Sequence, residues 1–117
     1  MLIDSHCHLD RIDLTPYQND FANFMDAANE CQIEHLLTIA IDLEAYPNML
    51  ALVADYPQIS VTVGVHPNEQ DGKEPTVDEL IALGQFDKVI GIGETGLDYF
   101  RSEGDLAWQQ QRFRNHI

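Results

Sequence analysis

Two histidines one residue apart, His6 and His8, and a distant carboxylate, Glu94, are the side chains here whose types and setting suit a divalent cation. In an extended segment successive side chains alternate faces, so His6 and His8 project the same way while Cys7 points opposite. Two neutral imidazoles and a carboxylate make a three-ligand set that leaves positions for water. A cation so held lowers the pKa of a bound water and makes a nucleophile available near neutral pH. A His-x-His pair is a weak signal alone. Glu94, in the stretch Gly91-Ile92-Gly93-Glu94-Thr95-Gly96, could instead cap nearby backbone.

Other residues could serve the same chemistry. His66, in Gly64-Val65-His66-Pro67, is either a turn histidine bonded to backbone or a group that contacts a phosphate oxygen or a metal-bound water. Asp4, Asp10 and Asp98 could orient an imidazole or fix a loop; the structural role is the stronger expectation. Arg11 and Arg101 follow the two metal-site segments and suit bidentate phosphate binding, or are ordinary rim residues. Tyr99 and Phe100 could stack on a base. Arg112 and Arg114 fall in a helical segment and are expected to face solvent.

The elements that must position these groups alternate along the chain. Leu2 to His8 reads as a first strand. Thr15-Pro16 reads as a helix start, with Tyr17, Phe21, Phe24, Met25, Ala28 and Cys31 forming one apolar stripe. His35 to Ile41 is an apolar run expected to be a strand buried on both faces. A helix through Met49, Leu50 and Val53 ends before Pro57. Ile59 to Val65 is a third strand, and Thr76-Val77-Asp78-Glu79 is a capping box opening a third helix. Lys88 to Gly93 gives a fourth strand. A last helix starts at Ser102 or Asp105, with Leu106, Gln110, Phe113 and Ile117 on one side.

Strands alternating with helices imply an α/β fold with a parallel sheet and right-handed crossovers. Such sheets bind ligands at the carboxyl ends of their strands, where His6, His8, His66 and Glu94 all fall. About four βα units, with the chain stopping inside the fourth helix, point to half of a (β/α)8 TIM-type barrel. Residues 1–117 are expected to form one such N-terminal half.

The charge of −14, from twenty acidic and six basic residues, argues against a broad basic nucleic-acid surface. A polyanionic substrate stays possible where metals and local basic groups reverse the potential in a cleft. No apolar run approaches membrane-spanning length, and the N-terminus lacks the pattern of a signal peptide. Cys7 and Cys31 read as reduced, buried thiols. A cytoplasmic protein is the expectation.

Three blocks occur in order: Asp4-Ser5-His6-Cys7-His8-Leu9-Asp10, Gly64-Val65-His66-Pro67, and Gly91 to Tyr99 (GIGETGLDY), followed by Gln109-Gln110-Gln111-Arg112-Phe113. Together they resemble the TatD family of metal-dependent deoxyribonucleases, across the whole chain. The resemblance implies a (β/α)8 metallohydrolase barrel, usually with two divalent ions. It implies His6 and His8 on one metal and Glu94 bridging or shared. It also implies two further histidines and an aspartate from strands five, six and eight, which this chain does not contain. His116 matches a helix position and is not a substitute ligand. The metal could be zinc, manganese, nickel, iron or magnesium.

Three functions stay open on these grounds. The first is hydrolysis of DNA phosphodiesters, with Glu94 and His66 catalytic and Arg11, Arg101 and Tyr99 binding substrate; the isolated chain is then expected to be weakly active or inactive. The second is a non-catalytic metal-binding half-barrel serving assembly. The third is an amidohydrolase-type enzyme acting on another ester or amide. Open edge strands and uncovered apolar surface further suggest self-association or pairing with a C-terminal half.

Overall fold

The computed structural model describes residues 1–117. Four strands, β1 (Leu2–Cys7), β2 (Ile33–Thr38), β3 (Ile59–Val63) and β4 (Val89–Ile92), alternate with four helices, α1 (Phe21–Glu30), α2 (Tyr46–Val53), α3 (Val77–Leu83) and α4 (Ala107–His116). The strands form one parallel sheet in the order β1-β2-β3-β4. This is the run of four parallel βα units that the alternating pattern predicts.

Strand alternation divides the sheet into two faces. Leu36 of β2 and Ile59, Val61 and Val63 of β3 point into a core with Phe21 and Met25 of α1, Tyr46, Met49 and Val53 of α2, and Leu80 of α3. The opposite face is more polar, and there His35 Nε2 lies 3.0 Å from Ser60 Oγ. β2 is therefore buried fully on one face only, contrary to the expectation from its apolar run; Leu36 and Thr38 are buried while His35 and Leu37 are half-buried. The edges stay open. Leu2, Ile3 and Ile90 are each about 60% exposed.

Helix ends follow local chemistry. Thr76 Oγ1 accepts from Glu79 N–H and the Glu79 carboxylate accepts from Thr76 N–H, so the expected capping box opens α3. The start of α1 differs from the sequence expectation. Thr15-Pro16-Tyr17 forms a separate 3-10 turn, after which Gln18 and Asn19 take left-handed backbone (φ 59° and 57°). That reversal breaks the helical path, and Asp20 becomes the cap, accepting from Ala22 N–H at 2.9 Å. Cys31 lies just past α1 and is exposed, not buried.

The last helix packs through a different side, about a quarter turn from the expected one. Leu106, Phe113 and Ile117 do not form its buried side; Gln109, Arg112 and His116 do. Their spacing of three and four residues defines a face, and the face is polar because it meets loop backbone instead of core side chains. Arg112, expected in solvent, is 3% exposed.

Candidate metal centre

The site stands at the carboxyl end of the sheet. β1 delivers His6 near its end and His8 just beyond, with their rings edge to face at 5.3 Å. Glu94 follows β4, held by Glu94 N–H donating to Ala40 O at 2.9 Å and Gly93 N–H donating to Val63 O at 2.9 Å. The Gly93–Glu94 peptide is cis. Glu94 Oε2 lies 3.7 Å from His6 Nε2 and 3.9 Å from His8 Nε2. One ligand atom from each residue falls within 4.8 Å of the others.

The donor set fits a divalent ion. Ile39 O can only accept, so His8 Nδ1, 2.9 Å away, carries the proton and donates it. In the neutral ring that leaves the lone pair on Nε2, 3.9 Å from Glu94 Oε2, the arrangement of a metal-ligating imidazole oriented by a backbone carbonyl. Imidazole and carboxylate together suit zinc, manganese, iron or nickel. Thr95 Oγ1, next in sequence to Glu94, is buried and finds no partner within the chain.

His66 joins the cluster with the opposite polarity. Asn68 N–H donates to His66 Nδ1 at 3.0 Å, so the neutral ring carries its proton on Nε2. Nε2 lies 3.5 Å from Glu94 Oε1. His8 thus offers a lone pair where His66 offers a proton, although both are histidines within reach of one carboxylate.

The other sequence candidates make contacts outside this cluster. Arg11 donates from Nη2 to Asp42 Oδ2 at 3.0 Å and lies 3.8 Å from Asp10. Arg101 Nε is 3.8 Å from Asp98 Oδ2. Tyr99 is half exposed and its hydroxyl accepts from Gln110 Nε2 at 3.0 Å. Phe100 is almost fully exposed. Asp4 accepts from the His6 backbone N–H at 3.1 Å, and Asp98 accepts from Arg101 N–H at 3.1 Å, so both fix local backbone.

Several supporting residues do not stand out in the sequence. Thr62 is buried; its hydroxyl donates to Gly93 O at 2.7 Å and accepts from Ala40 N–H at 3.2 Å, tying the ends of β2, β3 and β4 together beneath Glu94. Thr38 does likewise for β1, accepting from Leu9 N–H at 3.2 Å. The available signal is a single threonine inside each β-branched or apolar run. At Gly64 a Cβ would come within 2.7 Å of the Gly93 carbonyl carbon, so only glycine lets β3 and β4 approach this closely. Burial pushes the Cys7 thiol up to about 12, with the Asp4 charge adding to it, and its Sγ donates to Leu37 O at 3.4 Å.

A family model described as "TatD related DNase" matches residues 3–117. The chain belongs to the TatD-related DNase family. Among curated relatives, the uncharacterized metal-dependent hydrolase YcfH of Escherichia coli K12 is 34% identical over 117 residues, spanning 99% of this chain and 43% of YcfH. The 3'-5' ssDNA/RNA exonuclease TatD of Dickeya dadantii is 29% identical over 99 residues, spanning 83% of this chain and 38% of that protein. The solved structure of YjjV, a TatD homologue from Escherichia coli K12, matches with a TM-score of 0.78 at 27% identity, covering 97% of this chain and 44% of YjjV. This TatD-family chain therefore spans less than half the length of the relatives it matches. No helix in it is long and apolar enough to cross a membrane.

Proposed function

We propose that this chain carries part of the catalytic centre of a metal-dependent phosphodiesterase acting on DNA. The observation that carries the reading is the convergence of His6 Nε2, His8 Nε2 and the Glu94 carboxylate at the strand ends. Family membership supports a metal-dependent hydrolase. DNA as substrate is the finer step, supported by the family's description and by the named activity of the Dickeya dadantii relative.

His6, His8 and Glu94 would hold a divalent ion. Such an ion, when bound, polarises a phosphoryl oxygen and lowers the pKa of a coordinated water. The chain's own residues orient that chemistry. His8 is locked by Ile39 O with its lone pair on Nε2. Glu94 gives one oxygen to the two β1 imidazoles and the other to His66. His66 presents Nε2–H, a donor that can meet a phosphate oxygen as negative charge builds there. Arg11, Arg101 and Tyr99 are the groups we assign to substrate binding; each is about half or more exposed at the loops following β1 and β4. A second ion would need ligands beyond those in this chain.

A second reading, a non-catalytic metal-binding half-barrel, draws on the open sheet edges. The exposed side chains Leu2, Ile3 and Ile90 are apolar surface suited to a C-terminal half or a second copy. The two readings separate in one experiment. The purified chain is incubated with a labelled single-stranded oligonucleotide and Mn2+ or Mg2+, alone and with the remaining barrel segment supplied in trans. Metal-dependent cleavage lost with Glu94→Gln supports the nuclease. Absence of cleavage in both arms, with Mn2+ still bound and the chain dimeric, supports the assembly module. Turnover of phosphomonoesters or cyclic amides but not oligonucleotides would favour another amidohydrolase-type activity.

A further inference from the structure

The polar face of α4 reaches the loop after β3 through three residues at helical spacing. His116 Nε2 accepts from Val65 N–H at 3.0 Å. Arg112 Nη1 donates to His66 O at 2.8 Å. Gln109, fully buried, donates from Nε2 to Pro67 O at 3.0 Å. Three successive loop residues are thus each bound by one side chain from a single helix.

The Gln109 contact has a specific geometry. Pro67 C=O and Asn68 N–H belong to one planar peptide unit, so fixing the carbonyl fixes the direction of the N–H. That same N–H donates to His66 Nδ1 at 3.0 Å. The bond sets the ring's orientation and leaves the proton on Nε2, 3.5 Å from Glu94 Oε1. Gln109 also reaches the other site loop. Its Oε1 accepts from Asp98 N–H at 2.8 Å, and its Nε2 lies 3.1 Å from Ser102 Oγ and 3.3 Å from Asp98 O. Ser102 Oγ in turn donates to Asn68 Oδ1 at 3.1 Å.

We propose that Gln109 is a positioning residue: through the Pro67–Asn68 peptide it orients His66 toward Glu94, and through Asp98 it ties this loop to the one that follows Glu94. The role in catalysis rests on the phosphodiesterase reading above; the orientation itself does not. A buried amide suits the task because it offers one acceptor and two donors in a fixed plane, and the two loops present one N–H and several oxygens. Glutamate, methionine or leucine would fill similar volume without the donor that Pro67 O requires.

Through-hydrogen-bond 15N–15N couplings in the full chain at pH 8 test this directly. The wild type should give one coupling between Asn68 N and His66 Nδ1 and a second between Val65 N and His116 Nε2. The second reports that α4 is docked and does not depend on Gln109. In Gln109→Met, and in Gln109→Glu, which keeps an acceptor for Asp98 N–H, the Asn68–His66 coupling should vanish while the Val65–His116 coupling persists. Persistence of both couplings would overturn the proposal. Loss of both would also overturn it, since Gln109 would then hold the helix and not the imidazole.

Mn2+ titration of the same samples separates this inference from the functional reading. Gln109→Glu should weaken Mn2+ binding roughly 10-fold, the scale of losing an outer partner of a ligand. The same substitution in a His66→Ala background should have no further effect, because the two act in series. An equal loss in both backgrounds would refute action through His66. Mn2+ affinity that is indifferent to Glu94→Gln would refute the metal-centre reading, while the couplings would still decide the role of Gln109.

Discussion

Replacing Arg112 with methionine should cost this fold about as much as a large core truncation, although arginine is ordinarily a surface residue. Arg112 is 3% exposed, whereas the Glu74 side chain that pairs with it is 55% exposed. The ion pair itself is screened on the glutamate side and contributes at most ~1 kcal/mol. Hydrogen bonds to backbone carbonyls contribute more. The guanidinium donates to His66 O at 2.8 Å and to Glu69 O. A hydrogen bond from a charged donor nets roughly 1.5–3 kcal/mol, and two sharing one group give less than their sum. The guanidinium carbon also sits 5.0 Å from the Trp108 ring centroid, a contact that adds about 0.5–1 kcal/mol. Methionine recovers part of the stem packing. The expected loss is ~3 kcal/mol, a large share of a typical stability of roughly 5–15 kcal/mol. Urea titration followed by circular dichroism should show the midpoint falling at unchanged slope. Arg114→Met, at an exposed position of the same helix, should stay within about 0.5 kcal/mol. A loss below ~1 kcal/mol for Arg112→Met, or equal losses for the two arginines, would refute the view that α4 anchors the β3 loop.

Burial holds the His116 imidazole below its ordinary value, the Arg112 charge adds to this, and the bond to Arg112 O opposes it. The unfolded chain therefore takes up a proton first as pH falls through about 6.5, so stability should be full above that value and decline below it. His116→Gln should flatten that decline in urea titrations at pH 7.5 and 5.5, and an unchanged slope would argue against it. Glu79 is held down to about 2 by its bond to the Lys73 ammonium and then by Thr76; a carbon-detected NMR titration should find that midpoint, and Lys73→Ala should raise it. Thr76→Ala should lower stability by ~1 kcal/mol by removing the cap of α3, measurable as a lower urea midpoint. Iodoacetamide should label exposed Cys31 readily and leave Cys7, whose thiol is raised to about 12, unmodified in the folded protein.

The elements that hydrophobic period and capping chemistry determine could be read in the sequence. The four strands, the capping box at Thr76 and the parallel order all follow from patterns of a few neighbouring residues. His6, His8, His66 and Glu94 could be grouped because a parallel sheet puts the ends of its strands together. What stayed hidden depends on which way a polar side chain turns. The apolar stripe through Leu106, Phe113 and Ile117 suggested one orientation of α4, but the strongest pull on that helix comes from backbone groups of the 65–69 loop, which carry no sequence signature. Arg112 consequently looked like a solvent-facing residue of a polar helix. The distinct roles of His8 and His66 were equally illegible, since they rest on one carbonyl from Ile39 and one N–H from Asn68.

The central claim is that His6, His8 and Glu94 form one metal site. Calorimetric titration of the chain with Mn2+, repeated for His8→Ala and Glu94→Gln, tests it most directly. One bound ion per chain, with affinity falling well over ~10-fold in each variant, is the predicted result. Binding of equal strength in wild type and both variants, or no binding to the wild type, would contradict it.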